Sequence, residues 1–339
     1  MKCLITKLTG SVQNDSLMKI GEMRINVVKV EVPTSTTQKI TLTFNKNAVV
    51  SIVGNGYFTD SSLAQNRGKS VSFTAFEQKD IYVSNEDFWI SIADKYSLTY
   101  IRMGSNMYIS DIADLKYSNG LERLFLTKDC GGELSALNNK TNLITLYCNN
   151  SAVTGDLSSL SNLNKLQNLY CNNSAVTGDL SSLSNLTELV EIIAQDTDVK
   201  GDLSSLTKMS KLLTLHFANS VGGNINLLQS NVLQQLWAGN LTGDLAKASS
   251  RLRFISCKGD SSFTWSSRDS SAIIFGIEGS PTVTNIDKML QDLARCQMPS
   301  TSTNNWEKII NVKGTRTSSS DSAVATLQSR GYTVAVTSA

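Results

Sequence analysis

Apolar residues in the middle of the chain recur at a spacing that neither an amphipathic helix nor a lone strand produces. The pattern L-x-x-L-x-(small or apolar) returns as Leu121/Leu124/Leu126, Leu143/Leu146/Cys148, Leu166/Leu169/Cys171, Leu189/Ile192/Ala194, Leu212/Leu215/Phe217, Leu233/Leu236/Ala238 and Leu252/Ile255/Cys257. Residues 146–163 return unchanged from Leu169, a period of 23, inside the roughly 20–50-residue range of stacked repeat units. A second marker keeps step with the first: Gly132-Glu133-Leu134, Gly155-Asp156-Leu157, Gly178-Asp179-Leu180 and Gly201-Asp202-Leu203 hold the spacing, while Gly223-Asn224-Ile225 and Gly243-Asp244-Leu245 arrive early. The later coils are therefore expected to be shorter.

The alternation in L-x-L predicts one short strand per coil, with leucines inward and the residues between them outward. Glycine then permits a turn that a Cβ would obstruct, and Asp followed by Ser-Ser-Leu-Ser-Asn-Leu reads as a capped helical turn on the return side. One coil cannot bury its leucines alone, so neighbours must stack. Over residues 106–260 the pattern resembles the leucine-rich-repeat family, which implies a solenoid with a concave sheet serving as a binding surface. It departs from the family at the ninth position, where Ser151, Ser174, Thr197 and Ser220 replace the usual Asn or Cys. A hydroxyl can still bond the turn backbone there.

Stacked strands turn equivalent positions into ladders. The outward position between the second and third inward residues holds Phe125, Tyr147, Tyr170, Ile193, His216 and Trp237, a mostly aromatic stripe. Beside it run Thr127, Asn149, Asn172, Gln195 and Ala218, next to Asn150, Asn173, Asp196 and Asn219. Rings beside amides suit sugar faces or polar, aromatic-rich protein contacts; they also stabilise a sheet without binding anything. The candidate binding residues are Phe125, Tyr147, Tyr170, His216, Trp237, Asn149, Asn172 and Gln195. The ladder Asp156, Asp179, Asp202 and Asp244 reads as turn caps in preference to a calcium row.

The flanks lose the period. Residues 1–105 alternate in short β-like runs at 3–5, 23–30, 39–44, 49–53, 71–73, 81–83, 88–92 and 98–101, separated by turn signals such as Gly54-Asn55-Gly56. They read as a small sandwich-like all-β domain that anchors or oligomerises the chain. Residues 261–339 read as an α/β cap: a strand at 272–275, a helix from about Thr284 to Cys296, a strand at 309–312, a helix begun by Ser320-Asp321 and ended by Gly331, and a last strand at 332–336. The expected fold is thus mixed α/β, an N-terminal all-β domain, a central solenoid and a C-terminal cap that covers and lengthens it.

Composition narrows the chemistry. Against 31 Lys+Arg stand 29 Asp+Glu, so a phosphate-backbone footprint has no basis and no nucleic-acid partner is expected. The N-terminus builds no secretory apolar segment and no run is long enough to span a bilayer, so membrane insertion is not expected either. Cys3, Cys130, Cys148, Cys171, Cys257 and Cys296 form no C-x-x-C pair, and with one histidine neither a metal nor a cofactor site is expected. His216 would have to serve any Ser-His-Asp or Cys-His arrangement, and nothing near it resembles a nucleophile motif. A non-enzymatic role is expected.

The opening residues 1–25 look like the start of structural proteins from phages of Bacteroides-type gut bacteria, crAss-like phages included, and residues 314–334 are similar to the tail of repeat proteins from the same genomes. That resemblance implies a virion fibre or appendage: made in the host cytoplasm without a signal peptide, joined to other virion proteins through the N-terminal domain, forming a homo-oligomer, and meeting a host surface glycan or protein. The alternatives are a bacterial interaction module or adhesin and, less favoured, a polysaccharide depolymerase, whose two carboxylates no sequence pattern excludes.

Overall fold

The computed structural model describes residues 111–115, 118–299 and 304–338, together with the strands, and the turn at 74–77, between residues 19 and 103. Two parallel ladders wind through the repeat. The first stacks Leu98–Met103, Arg123–Phe125, Thr145–Tyr147, Asn168–Tyr170, Glu191–Ala194, Thr214–Phe217, Gln235–Gly239, Phe254–Lys258, Gly276–Glu278, Ile309–Lys313 and Thr333–Thr337. The second runs through Gly131–Glu133, Ala152–Asp156, Ala175–Asp179, Asp198–Asp202, Val221–Asn224, Leu241–Asp244, Ser262–Thr264 and Thr282–Val283. Short 3-10 turns follow the second ladder, among them Leu134–Leu137, Leu157–Leu160, Leu180–Leu183 and Leu203–Leu206. This is the architecture of a leucine-rich-repeat solenoid.

Leu121, Leu124, Leu143, Leu146, Leu166 and Leu169 are all 0% exposed, and Cys130, Cys148, Cys171 and Cys257 fill the same core as free thiols. Burying one leucine is worth about 1.5–3 kcal/mol, and stacking repeats that gain coil by coil.

The turns follow from two coupled residues. Asp156, Asp179, Asp202 and Asp244 accept from the backbone amides of Ser158 (2.8 Å), Ser181 (2.9 Å), Ser204 (2.7 Å) and Ala246 (3.1 Å). That bond satisfies an amide the 3-10 turn leaves open. Glu133, at the first such position, makes no side-chain cap bond. Asp156, Asp179 and Asp202 each lean on the glycine one coil on. A Cβ on Gly178 (φ +109°) would stand 2.7 Å from the Asp156 carboxylate, and one on Gly223 (φ +117°) 2.4 Å from that of Asp202. At the ninth position Ser151 donates to the Cys148 carbonyl (2.5 Å) and accepts from the Val153 amide (3.3 Å), and Thr197 makes the corresponding pair of bonds two coils on.

Outside the repeat, Asn26–Val30, Phe88–Ile92, Ala48–Val53 and Ser70–Phe73 form an antiparallel sheet in that order. Gln38–Phe44 lies antiparallel to both Leu98–Met103 and Gln78–Val83, so the strand at 98–103 joins these residues to the first ladder. Residues 3–5 lie outside the described residues.

Two expectations for the C-terminal region need correction. The apolar run at 272–275 is not a strand; the strand is Gly276–Glu278. Ile274 and Ile277, both 0% exposed, are instead one more L-x-x-L pair in the coil register. Ser320 makes no capping bond to the helix Asp321–Ser329 and donates to Asp287 at 2.6 Å, while Thr317 accepts from the Ser319 amide. The strands Ile309–Lys313 and Thr333–Thr337 lengthen the first ladder as further coils, with the helices Ile286–Arg295 and Asp321–Ser329 taking the place of 3-10 turns.

Candidate functional site

The register brings the expected stripe together. Leu124, Leu146, Leu169, Ile192, Leu215 and Leu236 are successive partners across the ladder, and the next residue of each, from Phe125 to Trp237, lies on the opposite face. Phe125 and Tyr147 stack at 4.6 Å between centroids and 19°, Tyr147 and Tyr170 at 4.1 Å and 11°. Ile193 interrupts the column, which resumes as His216 against Trp237 (3.6 Å) and Trp237 against Phe254 (5.1 Å). The stripe rings are half-buried.

Stacking decides what the rings can offer. Tyr147 has Phe125 on one face and Tyr170 on the other, so the column presents ring edges and hydroxyls to solvent. Ring edges carry partial positive charge and suit carbonyl oxygens, whereas a sugar packs on an open face. The sugar-face geometry expected of this column is therefore absent from its middle.

Polar groups that no period announces frame the rings. One coil beyond Tyr170, Glu191 accepts from the Tyr170 hydroxyl in a very short hydrogen bond and from Asn168 Nδ2 at 3.3 Å. Burial, then this bond, raises Tyr170 far above the usual phenol range. At the N-terminal end the exposed Arg102 guanidinium lies 5.8 Å from the Phe125 centroid. His216 is driven down to about 4 by burial, with a Gln235 hydrogen bond opposing the shift, and its Nε2 has no partner among the described residues. The column is closed at the far end. Glu307, 1% exposed, accepts from Gln235 (3.1 Å) and Arg253 (2.9 Å), and a Cβ on Gly276 would meet the Glu307 carbonyl at 2.1 Å.

The amides divide by role. Asn150, Asn173 and Asp196 adopt left-handed backbone (φ 53°, 52° and 54°) and turn the chain out of each strand, with Asn173 donating to Asn150 at 3.1 Å. They belong to the scaffold. Asn149, Asn172 and Gln195 are half-buried on the first ladder's outer side and make no side-chain hydrogen bond among the described residues. Of the residues sequence reasoning missed, Glu191 and Asn168 share the outward row that also holds Thr145 and Gln235, a row that carries no aromatic signal. Glu307 is brought in from beyond the repeat.

Comparison with known proteins finds no matching family model and no matching curated protein. Among solved structures, an internalin of Listeria monocytogenes is similar at 17% identity and a TM-score of 0.40, covering 68% of this chain and 78% of that one. Internalin C2 of the same organism reaches 23% identity and a TM-score of 0.36 over 44% of this chain and 76% of that one. The leucine-rich-repeat ectodomain of a plant membrane receptor kinase from Arabidopsis thaliana, solved in complex with Casparian strip integrity factor 2, gives 18% identity and a TM-score of 0.42 over 66% of this chain and 27% of that one.

Proposed function

We propose that this chain is a non-enzymatic binding module whose aromatic face, from Arg102 to Trp237, takes a polypeptide segment of a partner protein. The observation that carries the reading is the row Asn149, Asn172 and Gln195: side-chain amides with donor and acceptor uncommitted, one per coil, beside Tyr147 and Tyr170. Such a row matches the alternating donors and acceptors of an extended backbone. Strands stack about 4.8 Å apart, a spacing that a partner's side chains can span between rungs. The setting proposed for it is a virion appendage, supported by the likeness of residues 1–25 to phage structural proteins and of residues 314–334 to the tail of repeat proteins from the same genomes, with the N-terminal β-rich region joining other virion proteins. A bacterial interaction module or adhesin uses the same face in the same way.

The test is selection of random peptides on the purified protein, run beside a glycan array. Peptides that bind the wild type and lose affinity at least tenfold on Asn149→Ala/Asn172→Ala/Gln195→Ala, and again on Tyr147→Ala/Tyr170→Ala/Trp237→Ala, support the reading, provided circular dichroism shows both variants folded. Glycan hits with no enriched peptide overturn it in favour of a carbohydrate ligand.

A further inference from the structure

Each strand of the first ladder from Leu98–Met103 to Ile309–Lys313 is paired on both edges. Thr333–Thr337 pairs with Ile309–Lys313 on one edge and, among the described residues, with nothing on the other. Its inward side chains show the same want of a neighbour. Val334 and Val336 are register partners of Ile310 and Val312, which are 0% exposed, yet both valines are only half-buried. With Val324 of the last helix, Gly314, Thr315 and Arg316 they line an open cavity of about 620 Å³.

Natural sheets blunt such an edge with charges, proline or a bulge. This strand has none of these: Thr333-Val334-Ala335-Val336-Thr337 is uncharged and pairs without a register shift. It also reads identically in both directions. A palindromic strand is self-complementary under a two-fold axis, because antiparallel pairing sets residue i against j and j against i. We propose that this edge is the contact with a second copy of the chain, the two Thr333–Thr337 strands pairing antiparallel about an axis through Ala335.

In that register Thr333 meets the partner's Thr337, Val334 meets the partner's Val336, and Ala335 meets its own counterpart. Thr–Thr and β-branched cross-strand pairs are favourable. The axis stands perpendicular to the sheet, so the valines of both copies fall on the core side and continue the row begun by Ile310 and Val312. Both aromatic faces then lie on one side of a single sheet. Head-to-tail stacking would need a free parallel edge at the ladder's other end, and there Gln38–Phe44 already lies antiparallel against Leu98–Met103.

The experiment uses the full chain. Sedimentation equilibrium at tens of micromolar should give twice the 36.8 kDa chain mass, and Ala335→Lys, an exposed position, should return it to the single mass with unchanged circular dichroism. Ala335→Cys should form a disulfide-linked dimer under mild oxidation, because directly opposed antiparallel residues lie about 4.5–5.5 Å apart between Cα atoms, within disulfide reach. Thr333→Cys, which lies off the axis, should cross-link no more than the wild type. A monomeric wild type overturns the proposal, as does an Ala335→Cys chain that cross-links no more than the wild type.

Discussion

Two residues break the repeat's chemistry, and each has a pH signature. Lys140 stands where the later coils have Leu163, Leu186 and Met209, and it is 0% exposed. Burial pushes it down to about 8, with Nζ donating to Asn119 at 3.0 Å. Its folded value lies below the unfolded value of about 10.4, so between those values the unfolded chain binds the extra proton and stability rises with pH. Below pH 8 the full penalty applies. Lys140→Leu should therefore raise stability at pH 7 by on the order of 1–3 kcal/mol and flatten the rise between pH 8 and 10, as urea melts at each pH will read. A variant less stable than the wild type at pH 7 would show that the Asn119 contact outweighs desolvation. His216 behaves in the opposite range. Its folded value of about 4 lies below the ordinary 6.5, so the contribution of the neutral ring is complete above pH 6.5 and is lost as pH falls towards 4. Replacing it by Phe should remove that limb of the stability profile. An unchanged acid limb would assign the loss to the carboxylates.

At the scale of the coil, glycine and aspartate act as one device across the repeat boundary. Gly178→Ala forces a Cβ onto the Asp156 carboxylate and holds a non-glycine residue at φ +109°, and should cost about 1–3 kcal/mol. Asp156→Ala, which removes only the bond to Ser158, should cost about 1 kcal/mol. If the single losses share the Asp156–Gly178 contact, the double variant will cost less than their sum in a denaturation cycle. This pairing shows what was readable beforehand. The period of 23, the inward leucines, the capping aspartates and the stripe from Phe125 to Trp237 follow from local spacing, because each coil repeats the same short-range solution. Ring stacking was not readable, since it depends on how closely coils approach. Nor was Glu307, whose partners Gln235 and Arg253 lie 72 and 54 residues away in sequence. The run at 272–275 misled for a related reason: its isoleucine lies in the repeat register, but with the glycine marker gone nothing local distinguishes a buried approach segment from a strand. The turn role of Asn150 and Asn173 was open to sequence reasoning, because Asn tolerates left-handed backbone.

The repeat region is quasi-one-dimensional: each coil stacks on its neighbours, and stability sums over coils and the interfaces between them. Deleting residues 169–191 joins Asn168 to Ile192, which occupies the same register as Leu169. The shortened chain should fold, with a denaturant slope reduced in proportion to the lost surface, whereas deleting residues 169–180 should not, because it leaves inward positions facing solvent. Cooperative unfolding of the shorter deletion would contradict the register argument. The same feature bears on the chain's history. Residues 146–163 and 169–186 are identical, so if their coding sequences are similarly matched, unequal recombination between them adds or drops one whole coil and leaves every cap, turn and inward leucine intact. Length is then the trait such a chain can vary most freely, and related genomes should carry versions that differ in steps of 23 residues, each with one rung more or less of tyrosine and asparagine.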